Sequence, residues 1–303
     1  MQNQASFVPG VASLVSVQLL KNECLTQRSS NAFGVEIVRA YRSKSCRVIT
    51  ANGDETMKRS GNVILITGGG SGIGRELALR FNELGNTVIV AGRRLETLEE
   101  TIAGRSDMHA MVVDIEDSDA ITAFAERVVA EHPSLNVLIN NAGIMRREDL
   151  SRTRDLSDAE QTVVANLLGP IRLTNALTDH LVNQPDAAIV NVSSGLAFVP
   201  LSGTPTYNAT KAAIHSYTVS LREQLRGKVE VIELAPPAVQ TELTPGQSTR
   251  EGYMPLDDFI DETMALLREQ PTPREILVER VNYLRWAERD GHFDQAVEVL
   301  NGH

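Results

Sequence analysis

Beyond Met57 the chain alternates between two hydrophobic periods, and the alternation predicts its architecture. Short runs rich in β-branched residues fall at Val63–Thr67, Thr87–Ala91, His109–Asp114, Val137–Asn140, Ala188–Ser193 and Val229–Ala235. Apolar residues occupy most positions of these runs, as in strands buried on both faces, which implies a parallel sheet covered by helices. Between the runs the apolar spacing lengthens. Ile73, Leu77, Phe81 and Leu84 share one face of a helix predicted over Gly72–Leu84, with Gly85 as its stop. Strand and helix in strict succession make this an α/β chain with a doubly wound sheet in one domain. Near the end, EILVERVNYLRWAERDGHFDQAVEVLN reads as a short strand at Glu275–Val278 and a helical tail.

Residues 1–56 sustain neither period. Their strand-like fragment, VEIVRAYRSKSCRVIT, shows no obvious hairpin partner. The domain is therefore expected to begin at Met57 and run to residue 303, with the first 56 residues a disordered tail or upstream sequence outside the fold. A transit segment fits the Arg and Ser content, but Glu23 and Glu36 speak against it, and a separate small subdomain is a third reading.

Charge divides the chain at the same place. The first 56 residues hold six Lys or Arg against four Asp or Glu, a net of +2, leaving −12 for the rest of the −10 total. An acidic domain is a poor match for nucleic acid or for a polybasic membrane anchor, so neither partner is expected. The longest apolar-leaning run, FVPGVASLVSVQLL, is fourteen residues with polar interruptions, too short to cross a bilayer. MQNQAS before it carries no basic residue of the secretory kind. The only cysteines, Cys24 and Cys46, precede the domain and give no metal spacing, and the six histidines are scattered, so no metal is expected. A reducing, cytoplasmic location is consistent with this.

The candidate chemistry starts where the first strand ends, at TGGGSGIG, Thr67–Gly74. Gly68, Gly72 and Gly74 let the chain turn tightly and bring backbone N–H groups to a pyrophosphate. The following helix N-terminus aims partial positive charge at the same place. A strand before the motif and a helix after it lift this above an isolated glycine-rich turn and suggest a Rossmann-type nucleotide fold.

The spacing TGxxxGxG resembles the glycine motif of the short-chain dehydrogenase/reductase family, in its compact branch with a Tyr-xxx-Lys pair. The likeness extends over roughly 250 residues: NNAG at Asn140–Gly143, Asn166 in VVANLLGPIRLT, Ser194, and YNATK with Tyr207 and Lys211. The resemblance implies a catalytic set of Asn166, Ser194, Tyr207 and Lys211. It also implies cofactor contacts from Gly68, Gly70, Ser71, Gly72, Ile73, Gly74, Ile115, Asn141, Ala142 and Gly143. Asp114 sits where the family bonds the adenine amino group, and Pro236, Val239 and Thr241 where it meets the nicotinamide carboxamide. Ser193 and Ser194 should point to opposite faces of a strand end. The family's serine lies thirteen residues before its tyrosine, which selects Ser194 and leaves Ser193 a structural role.

Tyr207 and Lys211, four apart on a helix, share a face. A lysine there is expected to lower the phenol's pKa from about 10, so that Tyr207 gives or takes the proton of a carbonyl/alcohol pair. Ser194 would hold the same oxygen. By resemblance Lys211 also bonds the nicotinamide ribose, and Asn166 holds a water that resupplies protons. Cofactor choice turns on VIVAGRR: Gly92 stands where an NAD enzyme presents an acid, and Arg93 and Arg94 follow. Glycine leaves room for a 2′-phosphate and guanidinium pairs with it, so NADP(H) is expected over NAD(H).

Two segments depart from the family. Pro237 replaces the usual glycine after Pro236, which stiffens that turn. The C-terminus lacks the glycine-rich strand that builds many of the family's tetramers, so the homo-oligomer that the resemblance implies is of open size. Both features resemble a bacterial subgroup grouped with the D-alanyl lipoteichoic acid locus oxidoreductases. The expected activity is NADP(H)-dependent hydride transfer to or from a small carbonyl or alcohol substrate. A pocket of Leu196–Val199 and a lid over about 242–256 would receive it. Rival readings are a non-catalytic NADP-sensing protein and an epimerase or dehydratase, the latter weakened by only 62 residues after Thr241. Trp286 reads as packing, and Arg146, Arg147 and Arg152–Asp155 as solvated surface or cleft rim.

Overall fold

The computed structural model describes residues 25–30, 36–41 and 57–302. Cys24 and Cys46 lie outside them. The chain divides into two units, Met1–Asp54 and Glu55–His303. In the first, β1 (Leu25–Ser30) and β2 (Glu36–Tyr41) pair antiparallel, with Leu25 opposite Tyr41. This corrects the expectation that the strand-like fragment has no hairpin partner. LTQRSS carries one large apolar residue and so no period-2 signal, yet backbone pairing does not require one.

The second unit is built on a seven-stranded parallel sheet. Its strands are β3 (Val63–Thr67), β4 (Thr87–Gly92), β5 (Met108–Val112), β6 (Val137–Asn140), β7 (Ala188–Val192), β8 (Glu230–Leu234) and β9 (Glu275–Ile276). They lie in the order β5-β4-β3-β6-β7-β8-β9. The order reverses between β3 and β6, and loops on either side of that point splay apart to leave a crevice at the strands' carboxyl ends. The helices are α1 (Gly72–Glu83), α2 (Leu95–Ile102), α3 (Ser118–Glu131), α4 (Ser157–Val163), α5 (Gly169–Leu181), α6 (Pro205–Gln224), α7 (Leu256–Leu267), α8 (Asn282–Arg285) and α9 (Phe293–Asn301).

Alternation along β3 shows why both faces are covered. Ile64 and Ile66 join one core with Leu77 and Phe81 of α1 and Phe259 and Met264 of α7. Leu65 between them faces the other core, with Phe124 and Val128 of α3 and Leu173 and Leu177 of α5. A small third cluster packs Val199 against Ala287 and Ala296 of the C-terminal tail. Among the described residues no helix is long and apolar enough to cross a membrane.

Candidate active site

The glycine turn is shaped by what it must touch. Gly68 has φ +69°, and its N–H donates to the Ala91 carbonyl at 2.7 Å. A Cβ on Gly68 would stand 2.8 Å from Asn141 Nδ2, and one on Gly74 would stand 2.4 Å from both that nitrogen and the Gly68 carbonyl oxygen. Only glycine fits where α1, β3 and the NNAG loop converge. Thr67, which motif reading passes over, ties the junction together: its hydroxyl accepts from the N–H groups of Asn141 and Ala142, both at 3.1 Å. Asn140 points away from the cleft, its amide donating to Thr174 and Asn191 in the core.

Around this junction opens a cleft of about 510 Å³. Gly68, Gly70, Ser71, Gly72, Ile73, Asn141, Ala142 and Gly143 line it, as do Pro236, Val239 and Thr241 on the opposite side. Ser71 caps α1 in extended conformation without a side-chain hydrogen bond, so the first-turn N–H groups have no intrahelical or capping partner. The cradle that excludes a Cβ and the uncapped helix N-terminus fit the phosphates of a dinucleotide.

Arg93, Arg94 and Ile115 line one end, Asp114 does not. The Asp114 carboxylate instead accepts from the N–H of Glu116 at 3.0 Å, a two-residue turn of the Asx kind. Glu116 takes the place at the wall. It pairs with Arg93 at 3.0 Å and accepts from Gln161 at 3.0 Å through its other oxygen. That partnership spans loops distant in sequence, and nothing local announces it.

Ser194, Tyr207 and Lys211 converge on the far wall of the same cleft. Thr204 caps α6 and Pro205 opens it, placing Tyr207 in the first turn and Lys211 one turn on. The Lys211 ammonium donates to the Val192 carbonyl at 2.8 Å and lies 5.6 Å from the Tyr207 ring centroid. Ser194 Oγ accepts from Leu196 N–H at 3.1 Å, which leaves its own hydrogen free to donate. Burial pushes the Tyr207 phenol up to about 12, against a hydrogen bond with Ser194 that favours the phenolate. It pulls the Lys211 ammonium down to about 8, against the charge of Glu233. Burial therefore shifts the phenol in the direction opposite to the lowering expected from Lys211.

Asn166 is buried behind this wall and does not line the cleft. Its side chain is committed to Ile144, accepting from the N–H and donating to the carbonyl, both at 2.8 Å. It sits in a wide π-turn, Val164–Leu168, between α4 and α5. Pro170, four residues on, has no N–H to give the Asn166 carbonyl, which accounts for the break in the ladder.

Ser193 lines the cleft beside Ser194, its buried hydroxyl without a hydrogen-bond partner among the described residues. Its backbone N–H donates to the Leu234 carbonyl at 2.8 Å. Leu196–Val199 do not line the cleft, because Val199 is drawn into the cluster with Ala287 and Ala296. Phe198 lies under Arg285, 4.6 Å from the guanidinium carbon to its centroid. From the lid segment, Glu242, Leu243 and Gln247 do reach the cleft, and Arg146 stands at its rim. Gln247 anchors that segment by donating to the Val239 carbonyl at 2.9 Å. Trp286 lies between Arg285 and Arg289, each 4.3 Å from its ring.

A family model described as short chain dehydrogenase matches residues 62–252. The chain belongs to the short-chain dehydrogenase/reductase family of oxidoreductases, whose substrates are small molecules. It is 41% identical over 251 residues to the uncharacterized oxidoreductase DltE of Bacillus subtilis (strain 168), covering 81% of this chain and 98% of the relative. Among solved structures it resembles the 3-ketoacyl-(acyl-carrier-protein) reductase of Brucella melitensis complexed with NADH. There the identity is 28% and the TM-score 0.63, over 71% of this chain and 94% of that one. The fold is shared also with a short chain dehydrogenase of Burkholderia cenocepacia in complex with NADP: TM-score 0.68 at 24% identity, over 80% of this chain and 98% of that one.

Proposed function

We propose that the protein is an NADP(H)-dependent oxidoreductase that acts on a carbonyl/alcohol pair, with Tyr207 as general acid/base. The observation that carries this reading is one cleft holding both a phosphate cradle and the Ser194, Tyr207, Lys211 wall. The dinucleotide, when bound, supplies hydride chemistry. Gly68–Gly74, Asn141–Gly143, and Pro236, Val239 and Thr241 hold it.

The chain's own groups supply the proton. A phenol near 12 keeps its hydrogen at neutral pH, so Tyr207 is poised to donate to a carbonyl oxygen, the direction of reduction. Ser194, a hydroxyl donor beside Tyr207, steadies negative charge developing on the same oxygen. Lys211, near 8, is still mostly charged at pH 7 and favours the phenolate left behind. Asn166 is the residue that would, by the family resemblance, hold the resupplying water. At the other end Arg93 spends only one of its N–H donors on Glu116, and the rest suit a 2′-phosphate.

The test is fluorescence titration with NADPH and NADH, then NADPH oxidation against a panel of ketones, aldehydes and quinones. NADPH should bind more tightly, and at least one carbonyl should be reduced. Tyr207→Phe should lose about a thousandfold in kcat while binding NADPH normally. Arg93→Ala should raise KM for NADPH far more than for NADH. Near-normal turnover in the first variant removes the mechanism, and equal effects in the second remove the cofactor assignment.

A further inference from the structure

Of the two glutamates in β8, Glu233 is the fully buried one, and the mechanism above leaves it unused. It is completely buried, facing the opposite side of the strand from Ile232 and Leu234. One carboxylate oxygen lies 2.7 Å from His215 Nδ1, and the other has no hydrogen-bond partner among the described residues. An enclosed carboxylate with a lone oxygen is expensive, and an apolar side chain here would avoid the cost. Its charge must therefore act on something close by.

One group on which it acts is on α6. Lys211 and His215 are four apart and share the helix face turned towards β8. Lys211 is as enclosed as Glu233, yet its ammonium donates to a neutral carbonyl, and no carboxylate lies within ion-pair distance of it among the described residues. Other charges face Glu233 too, but none of them is as buried as Lys211. Arg222 of α6 donates to the carbonyls of Val231 and Arg274 at 2.8 and 2.9 Å. Glu275 of β9 is paired with Arg285 of α8 through both oxygens, at 2.6 and 3.0 Å, and Arg289 lies beyond.

We propose that Glu233 is a positioning residue for Lys211: a buried carboxylate, held in place by His215, that keeps the ammonium beside Tyr207 charged. The inference rests on the reading of Lys211 given above. Burial works to discharge Lys211, and the charge of Glu233 works the other way. Removing that charge leaves burial unopposed, so the ammonium should give up its proton at lower pH. His215 modulates the support, because a protonated imidazole offsets the carboxylate. Its own pKa is raised, chiefly by the hydrogen bond to Glu233.

The chain has only five lysines, so the titration can be watched directly. Full-length protein labelled with ¹³C at lysine Cε is titrated by NMR, and the Lys211 signal is the one missing from K211R. In the wild type its midpoint should lie near 8. In E233Q it should fall by about one unit, whereas E233D, which keeps the charge, should stay near the wild type. The alkaline limb of kcat/KM should move down in parallel in E233Q alone. An unchanged Lys211 midpoint in E233Q overturns the proposal, as does an equal fall in E233D. Should E233Q fail to fold, the double variant E233M/H215F, which replaces the pair with apolar side chains, decides: a Lys211 midpoint below that of the wild type supports the carboxylate as the source, and an unchanged midpoint overturns it. Because the NMR titration needs no turnover, a wild type that reduces no carbonyl would defeat the proposed activity without touching this result.

Discussion

Two loops leave the carboxyl ends of buried parallel strands, the glycine turn after β3 and the longer connection from Ser194 to Tyr207 after β7, and they are held by opposite means. The first is tightened by subtraction. Gly68 and Gly74 press against Asn141 and against each other with no room for a methyl group. The second is held by side chains reaching in from far along the chain. Glu148 accepts from Thr206 through N–H at 3.0 Å and hydroxyl at 2.8 Å, gripping the first turn of α6, while Arg154 pairs with the same carboxylate. Asn301 of α9 accepts from Ser202 N–H at 2.7 Å and donates to the Pro200 carbonyl at 3.2 Å. The nucleotide side should therefore be sensitive to added volume, and the catalytic side to the loss of a distant polar group.

The sharpest way to break that contrast is Gly74→Ala. Its Cβ would fall 2.4 Å from backbone oxygen as well as from Asn141, so α1 must shift away from the turn. The expected result is a loss of about 1–3 kcal/mol in thermal or urea unfolding and at least tenfold weaker NADPH binding. Ordinary binding by a stable variant would show that the crowding is slack.

Glu148→Gln comes next and tests the other half. Burial raises the Glu148 carboxyl, but the Thr206 hydroxyl and amide and then Arg154 outweigh it, so its pKa lies below the ordinary 4.5. A depressed carboxyl stabilises the fold fully above that ordinary value and loses its contribution as pH falls through the lowered one. The variant should have lower stability at pH 7, and the gap from wild type should close as pH falls from the ordinary 4.5 through the lowered value. Because the clamp holds the turn that carries Tyr207, kcat should fall about tenfold with NADPH affinity unchanged. A fall in affinity with kcat intact would place Glu148 on the wrong side of the comparison.

The same contrast explains what was legible in the sequence. The strands of the large sheet and helix α1 follow local periods, and runs such as VILIT have no other use for so many apolar positions. Glycine turns are local too, since φ above zero and close approach are demands on single residues. Clamps are not local. Glu148 to Thr206 spans 58 positions, and nothing in either neighbourhood reports the other. Glu116 reaches the cleft wall through Arg93 and Gln161, 23 and 45 positions away, and Val199 is drawn off into the tail cluster, whereas Asp114 is held by its own two-residue turn. The π-turn at Asn166 could have been read from Pro170, whose missing N–H interrupts the helix four residues earlier.

The smallest effect expected is at Asn301, and it bears on whether the tail belongs to the catalytic side at all. Its amide meets two groups of the loop between Ser194 and Tyr207 from ninety-nine and one hundred and one residues away. These bonds are exposed, so each contributes little net stability, about 0.5–1.5 kcal/mol at most. Asn301→Ala should lower the melting temperature slightly and reduce kcat a few-fold, through looser placement of the loop rather than loss of any group that touches substrate. The buried cluster of Val199, Ala287 and Ala296 still anchors the same loop, which is why the expected loss is small. Combining Asn301→Ala with Glu148→Gln separates the two supports. If both hold one loop in one geometry, the double variant should lose more kcat than the product of the single losses. Strict multiplicativity, measured at saturating NADPH, would mean that the ends of the loop are held independently.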